Sequence, residues 1–116
     1  MVPDFEAFFA PLLRALTSAA RSVEALAEDC ADSLGLDAAS RADTIAYDGR
    51  PTYVARTQMA LQELSHAGLS RLDAEGYALT EAGGEAASAP PRDRAALEQY
   101  PSYRAYRERH LARRGA

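Results

Sequence analysis

The chain has 116 residues, a length that suits one small domain around a single core. Its hydrophobic fraction of 47% excludes wholesale disorder, and its single cysteine excludes an internal disulfide or a cysteine-rich zinc site. The net charge of −4 is unevenly spread: residues 1–91 carry 6 Arg against 14 acids (−8), whereas residues 92–116 carry 7 Arg against 3 (+4).

All basic residues are Arg, with no Lys, which together with abundant Ala reads as a high-GC, bacterial coding background rather than as function. No run is apolar over the roughly 18 residues a membrane span needs, and residues 1–20 lack the order of regions of a signal peptide. A cytoplasmic protein with no membrane partner is the expectation.

In chain order, "DFEAFFAPLLRALTSAA" sets Phe5, Phe8, Phe9, Leu12, Leu13 and Leu16 at helical spacing behind Asp4 as N-cap. Pro11 either interrupts or kinks this helix, or the first turn is separate and Pro11 opens the main helix. "SVEALAEDCADSLG" predicts a second helix, capped by Ser22 and stopped by Gly35, with Val23, Leu26, Ala27, Cys30, Ala31 and Leu34 as its apolar stripe. Cys30 reads as a small core residue, and Glu24, Glu28 and Asp32 as a solvated face. Asp37 caps a short third helix, and "YDGRPT" is a loop.

"TYVARTQMALQELSHAGL" predicts a fourth helix ending at Gly68. Tyr53, Thr57, Ala60, Leu61 and Leu64 face inward; Arg56, Met59, Gln62, Glu63 and His66 face outward. Leu69–Leu72 and Tyr77–Leu79 alternate about a turn as a hairpin does. Thr80 opens a last, weak helix containing paired glycines. "SAPPR" is a linker, and two short helices broken at Pro101 follow.

This order gives a mainly α fold: a winged helix-turn-helix of four to five helices plus a two-stranded wing over residues 1–88. A Pro-containing linker and basic helical extension occupy residues 89–116.

"VPDFEAFFAPLLRAL", "LGLDAASRADTIAYDGRPTYVARTQMALQELSHAGL", "GYALTEAGGEAA" and "LEQYPSYRAYRER" together resemble the N-terminal winged-helix domain of Mrr-type restriction endonucleases. No one of these motifs is diagnostic; their order and spacing over nearly the whole chain carry the resemblance. It implies a DNA-binding module, often one that senses modified bases, here as a stand-alone domain without the nuclease domain. Where the family commonly has basic residues before the Gly-Tyr, this sequence has "LDAEGY", which places Asp73 and Glu75 at the wing.

Two histidines in separate segments, no Lys and no Ser or Cys constellation argue against catalysis, and neither a metal site nor a cofactor is expected. In winged helices the later helix of the helix-turn-helix enters the major groove. That maps DNA contact onto Arg50, Thr52, Tyr53 and Arg56, with Met59 and Gln62 farther along and Arg71 as the only base of the hairpin. The opposing reading pairs Arg50 and Arg56 with Asp48, Asp43 or Glu63 on an ordinary surface. Arg104, Arg107, Arg109, Arg113 and Arg114, beside Tyr100, Tyr103 and Tyr106, either add a basic surface or belong to an extension packed on the body.

The expected partners are double-stranded DNA, unmodified or modified, a separate nuclease or other protein, and a second copy in a homodimer. The expected role is a sensor in a restriction or defence setting or a transcriptional regulator. The alternative is an acidic winged-helix interaction module, an adaptor or inhibitor, that does not bind DNA.

Overall fold

A computed structural model describes the backbone of residues 1–115 and the side chains of residues 1–113, so the Arg114 side chain lies outside the described residues. The chain opens in a 3-10 turn, Phe5–Phe8, whose first N–H is taken by the Asp4 carboxylate at 2.8 Å. Helix α1, Phe9–Ala15, follows directly. Pro11 falls in its first turn, where a backbone N–H has no helical acceptor, so the ring interrupts nothing.

Helix α2, Val23–Ser33, begins where Ser22 accepts from the Ala25 N–H, and α3, Ala38–Ala42, where Asp37 accepts from the Ser40 N–H. Helix α4, Thr52–His66, is followed by the antiparallel strands β1, Ser70–Asp73, and β2, Gly76–Leu79. Their register pairs Ser70 with Leu79 and Leu72 with Tyr77. Helix α5, Glu81–Ala86, is capped by Thr80, whose own hydroxyl donates to the Gly68 carbonyl at 2.6 Å.

The wing is anchored on its inner edge. Arg21 and Tyr77 exchange N–H···O bonds of 2.9 Å each way, and the Leu79 N–H donates to the Thr17 carbonyl at 2.7 Å. The segment between α1 and α2 therefore acts as a rudimentary third strand beside β2. Gly76 makes this possible: at φ 135° it lies so close to Arg21 that an added Cβ would stand 2.1 Å from the Arg21 carbonyl oxygen.

Gly83 has a comparable reason. A Cβ there would fall 1.9 Å from the Leu69 carbonyl, so the residue that weakens α5 as a helix lets it lie against the chain.

Phe8, Phe9, Leu12, Leu13, Leu26, Leu61, Leu64 and Leu69 form the centre of the core. Cys30 is fully buried among them, as its place on the apolar stripe predicts. The fold is mainly α and winged-helix-like, with a C-terminal helix.

The tail differs from expectation in one respect. A 3-10 turn, Ala95–Gln99, leads into one 15-residue helix, α6, Pro101–Gly115. Pro101 opens this helix instead of separating two short ones, because the first helical position needs no N–H donor. Leu97 and Tyr103 are fully buried in the same core as the body, and the Arg94 N–H donates to Glu6 at 2.5 Å. The extension is thus packed onto residues 1–88. Among the described residues no helix is long and apolar enough to cross a membrane.

Candidate nucleic-acid interface

The start of α4 is built mostly from internal bonds. The loop before it closes on itself through Ile45 N–H to Arg50 O at 2.9 Å and Thr52 N–H to Asp43 O at 2.9 Å. Thr52 is buried, and its hydroxyl donates to Asp43 at 2.6 Å. Tyr53 is buried as well, its hydroxyl donating to Glu28. Arg56 turns back on the chain start, donating to the Val2 and Pro3 carbonyls at 2.6 and 2.9 Å. Side chains placed by the sequence reading at base edges are therefore satisfied inside the protein at Thr52, Tyr53 and Arg56.

Of this group Arg50 is exposed and Arg56 half-buried. The Arg50 Nε donates to Asp48 at 2.8 Å and its Nη1 to Gln58 at 2.9 Å. The Arg50 backbone N–H and then its guanidinium hold the Asp48 carboxyl below the usual carboxylate range. Arg71 is exposed on β1 and lies along the hairpin, reaching the Leu79 and Ser18 carbonyls through long contacts of 3.4 and 3.3 Å. At the wing tip Asp73 and Glu75 are both exposed, and Asp73 accepts from the Glu75 N–H.

The solvent face of α4 is set by different residues. Met59 and Gln62 are exposed; Ser65 and His66 are half-buried toward its end. Glu63, expected to face outward, is 6% exposed. The extension covers it: Arg94 donates to its Oε1 through Nε at 2.7 Å and approaches with Nη2 at 2.6 Å, and the Tyr103 hydroxyl adds a 3.3 Å bond. Burial, followed by the nearby Glu63 charge, pushes the Tyr103 phenol up to about 12. The only carboxylate of α4 is thereby largely covered and paired with Arg94, in the wall of a cavity it shares with Met59, Gln62 and His66.

This face lies between two walls. On the wing side Gln62, Ser65, His66, Leu72 and Tyr77 line a cavity of about 280 Å³. On the other side the Tyr106 ring stacks on His66 with centroids 3.6 Å apart and planes within 7°. Burial lowers the His66 pKa, against the opposing pull of Glu63 and with the added push of Arg109.

Sequence reasoning missed the Glu63–Arg94–Tyr103 cluster. Its only signal was the opposite charge of body and tail, which says that they attract but not which residues meet. Of the expected contact set, the structure leaves Arg50, Gln62 and Arg71 at the surface, on the loop, the helix and the wing respectively. No three His, Cys, Asp or Glu side chains converge into a metal site among the described residues. No family model matches this chain, and neither a curated protein nor a solved structure matches it.

Proposed function

We propose that the chain is a non-catalytic, cytoplasmic winged-helix module that binds duplex DNA through the solvent face of α4, as its resemblance to the Mrr N-terminal domain implies. One observation carries the reading. In a protein of net charge −4, the exposed side of α4 presents Met59 and Gln62 with no carboxylate, because Glu63 is buried against Arg94.

Gln62 is suited to the paired donor and acceptor of an adenine edge, and Met59 to a thymine or modified-cytosine methyl group. Arg50, at the head of the helix, suits a phosphate or a guanine once its bond to Asp48 opens. The acidic wing tip weakens backbone attraction, so a monomer binds weakly and a homodimer more tightly. In this reading the module is a sensor of modified DNA beside a separate nuclease, or a transcriptional regulator.

Fluorescence anisotropy with unmodified and methylated duplexes, at low and physiological salt, tests the reading. Binding should weaken with salt and fall on Gln62→Ala and on Met59→Ala. A methylation preference assigns the sensing role. Absence of binding at low salt overturns the DNA reading.

A second reading is favoured by Leu72, which is 65% exposed beside Asp73 on the wing. An apolar side chain within an acidic tip suits a basic protein partner, making the chain an adaptor or inhibitor. Leu72→Ser would then abolish capture of that partner, and the wild-type chain would bind no duplex at low salt.

A further inference from the structure

The arginines of this protein fall into two groups. Arg21, Arg41, Arg50, Arg94 and Arg107 each meet a carboxylate within 4.0 Å. Seven more meet none among the described residues, although acids outnumber bases in the chain; two of these, Arg109 and Arg113, lie one helical turn apart on α6. With Tyr106 and His110 they fall at positions i, i+3, i+4 and i+7 of α6, a single helical face. That face and His66 of α4 line a cavity of about 260 Å³ with no carboxylate in its wall.

The cavity is held in shape from below. His66 is stacked on Tyr106, and His110 lies along the same ladder with its centroid 6.0 Å from the Tyr106 ring. Tyr106 thus has one imidazole stacked on it and a second nearby, next to the guanidinium-bearing positions. His66 and Tyr106 also line the neighbouring cavity, whose other walls are Met59, Gln62 and the Glu63–Arg94 pair, so the basic pocket continues the exposed face of α4.

We propose that this seam between α4 and α6 binds a phosphate group, with Arg109 and Arg113 as its charged ligands and His66 and His110 as hydrogen-bonding walls. Two guanidiniums four residues apart suit a tetrahedral anion through forked N–H donors. The inference rests on the DNA reading for the source of the phosphate: a backbone phosphate flanking the base pairs that α4 faces. The tail then performs the backbone contact that the acidic wing does not make.

The test compares wild type, Arg109→Ala/Arg113→Ala and Arg109→Lys/Arg113→Lys in the full chain, using a short fluorescein-labelled duplex over a range of salt. Both arginines are exposed and outside the core, so the variants should keep the wild-type melting temperature. Losing two phosphate contacts should make the slope of log K against log salt shallower by about 1.8, with affinity lower by on the order of tenfold at low salt. The lysine variant should retain most of the slope. Duplex binding with an unchanged slope in the alanine variant overturns the phosphate site while leaving the DNA reading intact.

If wild type binds no duplex even at low salt, the DNA reading fails and inorganic phosphate becomes the probe. Saturable shifts of the Arg109, Arg113 and His66 NMR signals, lost in the alanine variant, would keep the site as one for free phosphate. No shift would overturn it.

Discussion

Replacing Arg94 by Met is expected to destabilise the fold through a residue it leaves in place. Glu63 is buried, and Arg94 supplies its closest hydrogen bond and its counter-charge; what remains after substitution is the 3.3 Å contact from Tyr103. A carboxylate stripped of its cation in a fully dry site costs about 3–5 kcal/mol. Here the Arg94 side chain is 43% exposed, so water reaches the vacated side, and the expected loss is about 2 kcal/mol. For a chain of this size that lowers Tm by about 6–10 °C. Urea and thermal melts at pH 7 read the loss, and a cycle with Glu63→Gln tests its cause. Glu63→Gln should cost stability in the wild type but be neutral or stabilising once Arg94 is Met, because the amide removes the unpaired charge. An equal cost in both backgrounds would refute the assignment of this cluster as an ion pair that docks the tail.

Further expectations concern the wing, the core thiol and the stacked histidine. Gly76→Ala should cost about 2–4 kcal/mol, because the new Cβ meets the Arg21 carbonyl at 2.1 Å in a backbone region unsuited to Ala. Amide exchange should quicken at Arg21 and Tyr77; unchanged protection would show that the pairing tolerates a side chain. Burial, with Asp29 adding to it, pushes the Cys30 thiol up to about 12, so at pH 8 the native protein should react with an aromatic disulfide reagent at least about 100-fold more slowly than the unfolded chain. Equal rates would remove Cys30 from the core. His66 has its pKa lowered in the folded state, so the unfolded chain binds more protons near pH 6 and stability should fall as pH drops from 7 to 5. The fall should be smaller in His66→Gln, and NMR titration should place the His66 midpoint below that of an unstructured histidine. A midpoint above it would contradict the stacked, half-buried placement.

Local chemistry made much of this fold legible. Asp4, Ser22, Asp37 and Thr80 cap the elements that their positions predict, since a cap depends only on a side-chain oxygen and the next few N–H groups. The hairpin was legible from alternation about a turn, and the inward residues of α4 from helical period. The candidate interface was much less so. Arg56 is satisfied by carbonyls more than 50 residues away in sequence, and Glu63 by an arginine 31 residues on, in a segment that reads as a linker and extension. Such distant partners leave no periodic trace. A polar residue at an outward-looking helical position is therefore ambiguous until the element that covers it is known.

β2 is bordered on both sides, by β1 and by the segment after α1, whereas β1 pairs with no further strand among the described residues. Its free edge offers unpaired backbone groups, with Leu72 exposed beside them, which is the template on which identical chains stack. In this light the acids at Asp73 and Glu75 act as gatekeepers: like charges brought together by edge-to-edge docking repel, and the strand is kept to four residues. A variant with both acids replaced by threonine, whatever it gained in attraction for polyanions, would trade that gain for a tendency to form fibres at high concentration.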